Sequence, residues 1–510
     1  MNEVSTIAAV EDAIAREGPS TSRCYELGGL HLARGDAANA AAAYRQCLAL
    51  AHPEVPPGLY NNLGVALLKA RRIDEAIDAL QAALVRQPGY LRALVNLGKA
   101  LCEAGRLDEA LHAVRDALAQ QPDYVPALIN SGAVHAALGD LDTAERVLER
   151  AMALAPRHVE ALTALGIVRL QRGRPATALE ALRAAVALAP ANPDTHMSLA
   201  HALYAGGNWA ESWAHFEHRL QRTQHRETFR PPPGRPRWDG ITAPQELWLC
   251  AEQGLGDQLQ FVRYARLLAE HGMRCVLACD PRLVRLLSGA KLGVRVVRLD
   301  SPAPPTARWL PLMSMPHHCR TQAQTVPHAD GYLAAEPARL DHWRSRLPRM
   351  GFRVALAWQG NPAMETGRYV GRSPPLAALA PLFQLSGIEF ISLQKGYGSE
   401  QRQALPNAAS VRHFDDLDAG ADAFLDTAAI LKCVDLLVTS DSAIAHLAGG
   451  LGVPTWLCLM HEPDWRWMRH GDTTPWYDSL RLFRQPRPGD WASVFRSVAR
   501  ALASLAARSN

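Results

Sequence analysis

Residues 91–124 read LRALVNLGKALCEAGRLDEALHAVRDALAQQPDY, and residues 125–158 read VPALINSGAVHAALGDLDTAERVLERAMALAPRH. Laid one over the other, the two stretches share glycines, alanines and a proline at matching places. The register continues in both directions with a step of 34 residues. Glycine recurs at Gly64, Gly98, Gly132 and Gly166, and proline at Pro88, Pro122, Pro156 and Pro190. Alanine recurs at Ala76, Ala110, Ala144 and Ala178, and again at Ala83, Ala117, Ala151 and Ala185. Small residues at a fixed step let two helices cross closely, and a proline ends the second helix because it cannot continue the hydrogen-bond ladder. A slightly longer copy runs from Tyr25 to Pro53 around Gly28 and Ala40, and a later one from Pro193 to Leu220 with Ala200 and Ser212 in the small positions. About six units are therefore expected over residues 20–222, behind an N-terminal helix or cap in residues 1–19.

This period resembles the tetratricopeptide repeat. The resemblance implies an α-solenoid, in which each helix pair exposes an apolar face that only its neighbour covers, and first helices line a concave surface. Asn62, Asn96 and Asn130 stand two residues before three of the glycines. An asparagine offers a donor and an acceptor, which suits an extended peptide backbone. The series resembles the asparagine ladder of the O-linked N-acetylglucosamine transferase superhelix, which implies an acceptor-binding role; a solvated polar position at a helix start explains the same residues. The ladder lapses at Ala164 and Ser198.

The chain has 510 residues, 48% hydrophobic and 20% charged, with a net charge of +4. That balance is globular and gives no dedicated nucleic-acid platform. Nine cysteines lie scattered without a Cys-x-x-Cys pair, which argues against a disulfide framework or a structural zinc and for a reducing, cytoplasmic setting. No basic segment precedes an apolar stretch at the N-terminus, so no secretory leader is expected. The apolar run from Ala443 to Met460 is broken by glycines and a proline, and reads as a buried helix and strand, not a membrane span.

After Leu220 the period stops. Residues 223–245 contain Arg230-Pro-Pro-Pro-Gly-Arg-Pro236 and no helical spacing, the mark of a linker. Strand-like runs then alternate with helical stretches: Leu247–Ala251, Cys275–Cys279 and Val294–Leu299 in residues 246–345, then Arg353–Trp358, Phe390–Leu393, Leu436–Thr439 and Thr455–Leu459 in residues 346–507. The rhythm predicts two parallel α/β units in tandem. Ligands of such sheets sit beyond the carboxyl ends of the strands, so the loops there carry the candidates.

In Gln253-Gly-Leu-Gly-Asp257, Gly254 and Gly256 let the backbone turn tightly off the strand and Asp257 opens a helix, as a cap or as a general base facing a cleft. In Trp358-Gln-Gly-Asn-Pro362, Asn361 is followed by Arg368 and Arg372, and arginine suits a diphosphate through bidentate contacts. Gln394 and Lys395 directly follow a strand, and a lysine in a chain holding five is a candidate phosphate ligand. Asp441 and Ser442 open a helix whose first N–H groups form an anion site, with His446 on its first turns as a site residue or a packed core residue. Asp426 and Thr427 open another helix, where an N-cap accounts for Asp426. Asp415-Asp-Leu-Asp418 reads as a solvated acidic loop and not a metal site, and Trp465, Trp467 and Trp476 read as core packing.

The stretch Asp441-Ser-Ala-Ile-Ala-His-Leu-Ala-Gly-Gly-Leu-Gly-Val-Pro454 resembles the Asp-Thr-x-x-x-His-Leu-Ala-x-x-Leu-Gly-x-Pro element of the bacterial lipopolysaccharide heptosyltransferases, with Ser442 keeping the hydroxyl. Gly256-Asp257 resembles that family's Gly-Asp element. The organisation is similar to O-linked N-acetylglucosamine transferase and to repeat-bearing flagellin glycosyltransferases. The resemblance implies a GT-B fold of two Rossmann-like lobes over residues 246–345 and 346–507. It also implies an inverting enzyme that needs neither metal nor cofactor and takes a nucleotide sugar. Asp257 would be the catalytic base. Gly256, Asn361, Arg368, Arg372, Gln394, Lys395, Asp426, Thr427, Asp441, Ser442 and His446 would lie on the donor. The expected partner is a protein or peptide acceptor held by the repeats, and a homo-oligomer is allowed for. Two other readings stand beside this one. The sugar goes to a lipid or polysaccharide while the repeats serve assembly, or the chain is a non-catalytic scaffold, since Ala363–Gly371 lacks the His and Asp expected of repeat-linked enzymes.

Overall fold

The period becomes paired helices. First helices span Pro57–Lys69, Leu91–Glu103, Val125–Ala137 and Val159–Gln171, and second helices Ile73–Arg86, Leu107–Gln120, Leu141–Leu154 and Pro175–Leu188. An earlier pair, Thr21–Arg34 and Ala37–Leu50, follows the helix Glu3–Glu17. This computed structural model describes residues 3–51, 55–222, 225, 228–328, 330–348, 350–365, 371–404 and 411–509.

The small-residue series mark the crossings within each pair. A Cβ added to Gly64, Gly98, Gly132 or Gly166 would lie 2.5–2.6 Å from Leu80, Val114, Leu148 or Leu182, closer than carbon atoms approach. Ala76, Ala110, Ala144, Ala178 and the second alanine series from Ala83 to Ala185 are fully buried. The turns inside the pairs carry a further series. Gly105, Gly139, Gly173 and Gly207 all take positive φ, and Arg71 holds the equivalent place with φ of 61°.

Contacts divide the chain into two compact units, one of residues 1–202 and one of residues 203–220, 225–365 and 371–510. The division falls earlier than the linker expected at 223–245. The helix Trp209–Phe216 goes with the second unit because Trp209, Trp213 and Phe216 are buried among that unit's aromatic rings. The linker stretch is itself packed: Phe229 and Trp238 are buried, and residues 236–238 exchange backbone hydrogen bonds with Trp309.

The second unit holds two parallel sheets. The first contains β1 (Leu247–Cys250), β2 (Cys275–Cys279), β3 (Arg295–Arg298) and β4 (Arg308–Pro311) in the order β3-β2-β1-β4. The second contains β5 (Phe352–Ala357), β6 (Ile388–Ser392), β7 (Val411–Arg412), β8 (Leu436–Ser440), β9 (Thr455–Leu459) and β10 (Leu480–Arg484) in the order β10-β9-β8-β5-β6-β7. Every named pairing is parallel, with Val354 opposite Leu436 and Leu247 opposite Cys275. The strand order reverses between β1 and β4 in one sheet and between β5 and β8 in the other. Crevices open at such switch points. No run of apolar residues marks β4, β7 or β10: β7 spans two residues, while β4 and β10 mix apolar residues with arginines.

Candidate functional site

The site begins past the carboxyl end of β1. Gln253 takes φ of 60°, a left-handed turn, and Gly254 then precedes the helix Leu255–Phe261. Asp257 sits in the first turn of that helix. Its Oδ2 accepts the Gly254 amide at 3.0 Å, as an acid at this position does. Its Oδ1 pairs with the guanidinium of Arg466. Burial pushes the Asp257 carboxyl above its ordinary range, and Arg466 opposes that shift.

Arg466 comes from the far side, in the turn Trp465–Trp467 between β9 and β10. Its guanidinium also donates to Gln260 at 2.7 Å and to Asp464 at 2.8 Å, and lies 4.4 Å from the centre of the Trp465 ring. One buried cation thus joins a carboxylate from each sheet.

The helix Ala443–Leu451 starts beside this pair. Ser442 is extended and its side chain does not cap the helix, so the first N–H groups lack a side-chain acceptor from it. Gly256 meets this helix closely: a Cβ there would lie 3.0 Å from His446 Cδ2 and 3.3 Å from Ala443 Cα. Gly360, past the end of β5, faces the same helix start. A Cβ at Gly360 would lie 3.5 Å from a guanidinium nitrogen of Arg372 and 3.9 Å from Ser442 Cβ. Loops from β1, β5 and β8 therefore meet at one place.

Electrostatics follow from this crowding. Burial first, then the charge of Asp464, push the Asp441 carboxyl up to about 6, against the pull of Arg372 and Arg466. Burial and the charge of Arg466 push His446 down to about 3, so its ring is neutral at physiological pH. That ring stacks on Trp467 with centres 5.2 Å apart, and its Nδ1 lies 2.9 Å from the Tyr477 hydroxyl. Arg263, fully buried, reaches the other way across the sheets. It donates to the Gln260 and Trp476 carbonyls at 2.8 and 2.7 Å and to the Tyr332 hydroxyl at 3.1 Å, and lies 4.6 Å from the Tyr477 ring centre.

Gly256, Asp257, Arg372, Asp441, Ser442 and His446 thus come together. Lys395, Asp426 and Thr427 gather elsewhere, around Asp418. The Lys395 ammonium donates to the Asp418 carbonyl. The Asp418 carboxylate accepts the Asp426 amide at 2.6 Å and the Thr427 hydroxyl at 2.5 Å. The reading of residues 415–418 as a solvated loop is corrected at Asp418, which is buried and caps the helix Leu425–Leu431 across a loop. Asp426 is no cap. Its carboxylate accepts from Trp343 at 2.7 Å and from Asp418 N at 2.9 Å, and pairs with Arg339, which makes it a strut.

Gln394 is also corrected. Its oxygen accepts the Trp358 and Gln359 amides at 2.9 and 3.0 Å, and its nitrogen donates to the Gln359 and Tyr397 carbonyls at 2.8 and 2.6 Å. Both lone pairs and both protons are occupied, so it braces the β5 loop and has none left for a donor. Asn361 caps its own turn by accepting the Ala363 amide at 3.0 Å. Arg368 lies outside the described residues.

The asparagine series faces the neighbouring repeat. Asn96 Nδ2 donates to Asn61 at 2.8 Å, Asn130 Nδ2 to the Val95 carbonyl at 2.8 Å, and Asn62 Nδ2 to the Tyr25 hydroxyl at 2.9 Å. These donors latch one first helix to the preceding one, and each uses one of the two protons of its amide. The structure adds Arg466, Asp464, Arg263, Tyr477 and Gly360 to the site. A signal for Arg466 and Asp464 is present in Asp464-Trp-Arg-Trp467, where the two charges alternate with tryptophans that read only as core. Among the described residues, no group of three or more His, Cys, Asp or Glu is placed to hold a metal ion, and no helix is long and apolar enough to cross a membrane.

Family models described as tetratricopeptide repeat match residues 61–125 and 132–205. The N-terminal region is a tetratricopeptide-repeat array. Among solved structures, the array is similar to a thermophilic TPR protein of Thermus thermophilus, 24% identical, covering 33% of this chain and 92% of that one with a TM-score of 0.32. It is also similar to YrrB, a TPR protein with an unusual peptide-binding site, 22% identical, covering 38% of this chain and 97% of that one with a TM-score of 0.27. A curated relative, Protein FlbA of Caulobacter vibrioides, is 27% identical over 340 residues, which cover 61% of this chain. The match spans about half of that relative's length, 55%. A 61% share is more than residues 1–202 can supply, so the similarity reaches into the second unit.

Proposed function

We propose that the chain is an inverting glycosyltransferase of GT-B type, moving a sugar from a nucleotide donor to serine or threonine hydroxyls of a protein acceptor, flagellin-like in kind, held by the repeats. One observation carries the reading: the loop of one sheet that bears Gly256 and Asp257 packs closely on the uncapped helix start after Ser442 from the other, and Gly360 brings Arg372 to that same start. Asp257 takes the proton of the acceptor hydroxyl as its oxygen attacks the anomeric carbon. The bond to the nucleotide phosphate breaks, and negative charge grows on that phosphate. Arg372 and the N–H groups at Ala443 and beyond are fixed donors for that charge, most effective where it develops. Neutral His446 and its Tyr477 partner form a wall that does not compete for the phosphate.

The test is a transfer assay with a panel of nucleotide sugars, without metal, on a protein acceptor, read by intact mass. Asp257→Asn is expected to lower the rate by about 10²–10⁴-fold, the usual worth of a general base, while nucleotide binding survives. Full turnover in that variant removes Asp257 from the chemistry. Absence of both binding and transfer across the panel favours a protein-interaction scaffold, the role repeats fill in many chains.

A second reading draws on the asparagines. Asn96 and Asn130 each spend one amide proton on the preceding repeat, and an acceptor that is a lipid or polysaccharide needs no asparagine ladder. Transfer to a glycolipid but to no protein selects that reading.

A further inference from the structure

Arg219, in the turn Glu217–Gln221 after the last repeat helix, is 2% exposed. Its guanidinium holds Glu252 by two bonds, Nε to Oε2 at 3.2 Å and Nη2 to Oε1 at 2.7 Å. The Glu252 side chain is fully buried, and its Oε1 also accepts the Met313 amide at 3.2 Å. Arg219 donates in addition to Ser314 at 2.9 Å and to Glu217 at 2.7 Å. Glu252 immediately precedes the left-handed Gln253 and the helix start that carries Asp257.

The segment Leu203–Leu220, the end of one helix, the helix Trp209–Phe216 and the turn after it, also packs beside Arg466, the ion-pair partner of Asp257. Trp465, the residue before Arg466, lies with its ring centre 4.7 Å from Tyr204, 5.6 Å from Trp213 and 5.8 Å from Phe216. The Tyr204 hydroxyl accepts the Trp476 indole N–H at 2.9 Å, and the Trp213 indole donates to the Thr321 carbonyl at 2.9 Å. Asp257 and Arg466 stand 209 residues apart in sequence, yet Asp257 follows Glu252 by five residues and Arg466 follows Trp465 directly, and Leu203–Leu220 holds both Glu252 and Trp465.

We infer that Arg219 is a positioning residue for the transfer reaction: through Glu252 it holds the Gln253–Asp257 turn in its left-handed form, so that Asp257 meets Arg466 and the acceptor hydroxyl. The inference rests on the glycosyltransferase reading for its kinetic consequence and on geometry alone for its structural one. A left-handed non-glycine residue persists only where its surroundings over-determine it, and Arg219 with Glu252 is that surrounding. A lysine could keep the charge but not the fork that holds both carboxylate oxygens and Ser314 together.

The experiment uses the full chain with Arg219→Gln, Arg219→Lys and the double variant Arg219→Met/Glu252→Leu. Amide hydrogen exchange is followed at residues 253–258, with strand β8 as internal reference, alongside kcat and donor KM for transfer. In both single variants exchange at 253–258 is expected to speed by about tenfold or more while β8 is unchanged, because a local opening reports on local anchoring. kcat is expected to fall by about 10²-fold with donor KM within twofold, the cost of misplacing a reacting group by an ångström. The double variant carries no orphaned charge and is expected to regain the thermal midpoint, but not the slow exchange or the kcat. Wild-type exchange at 253–258 in Arg219→Lys overturns the inference, as does a double variant that recovers midpoint, exchange and kcat together. Should Arg219→Gln not fold, Arg219→Lys and the double variant decide. If the wild-type chain transfers no sugar, the glycosyltransferase reading fails, while the exchange measurement still judges the anchoring of the turn.

Discussion

Asp441 and His446 are five positions apart in sequence, and burial moves both away from charge, in opposite directions on the pH scale. The Asp441 carboxyl, raised to about 6 from an ordinary value near 4, binds more protons folded than unfolded across that interval. Its contribution to stability therefore falls as pH rises through it. His446, lowered to about 3 from an ordinary value near 6.5, binds fewer protons folded than unfolded, so its contribution is lost as pH falls from about 6.5 toward 3. Between about pH 4 and 6 the two slopes oppose each other. Asp441→Asn should gain thermal midpoint over the wild type as pH rises from about 4 to 6 and keep the gain at neutral pH. His446→Asn loses its stacking and hydrogen bond at every pH, but should recover ground against the wild type as pH falls from 6.5 to 3. Only the pH dependence of each difference counts. Two flat difference profiles would show that neither group titrates where its surroundings place it.

At the scale of the element, one helix offers a paired test. A Cβ at Gly28 would stand 2.6 Å from the Tyr44 ring, whereas one at the adjacent Gly29 would lie 3.8 Å from the Tyr44 hydroxyl, an ordinary contact. An alanine in a helix interior is favoured over glycine by about 1 kcal/mol, and overpacking a core costs about 1–3 kcal/mol. Gly29→Ala is therefore expected to raise, and Gly28→Ala to lower, the urea midpoint of the array; stabilisation by both would mean that Tyr44 moves freely aside. The same reasoning explains what is legible here. The glycines and alanines of the 34-residue period can be assigned to crossings because each glycine meets a residue sixteen places on, within its own pair. Gly105, Gly139, Gly173 and Gly207 are equally legible as turn residues, since they keep the same step. Composition misplaces the linker, because proline content describes local stiffness, while Phe229 and Trp238 are buried by strands far away in sequence.

At the scale of the whole molecule, the boundary lies where the contacts lie and not where the period ends. A chain beginning at Pro193 keeps Tyr204, Trp213 and Arg219. A chain beginning at residue 223 loses all three and leaves the fully buried Glu252 without the guanidinium of Arg219, with His225 Nε2 still 3.4 Å from its Oε2. Breaking a buried pair from one side costs about 3–5 kcal/mol. The shorter chain is expected to unfold at a markedly lower midpoint in calorimetry, with the longer one close to the second unit's transition in the intact protein. Equal midpoints would show that the segment Leu203–Leu220 is carried by the unit and does not support it. The outcome also sets which truncation is fit for asking whether the repeats are needed to present an acceptor.

The amino-acid sequence alone determined the repeat array, the two parallel α/β units and the loops that bear Asp257, Arg372 and Asp441, because each rests on periodicity or on groups a few residues apart. Tertiary structure alone decided which of those loops meet. It joined Asp257 to Arg466 across 209 residues and Arg263 to the Trp476 carbonyl across 213, and it turned Gln394 and Asp426 from candidate ligands into struts. Spacing along a chain encodes contacts between neighbours. An ion pair between two sheets depends on strand order, on the crevice where that order reverses, and on which buried charges must find each other there, and none of these leaves a local pattern.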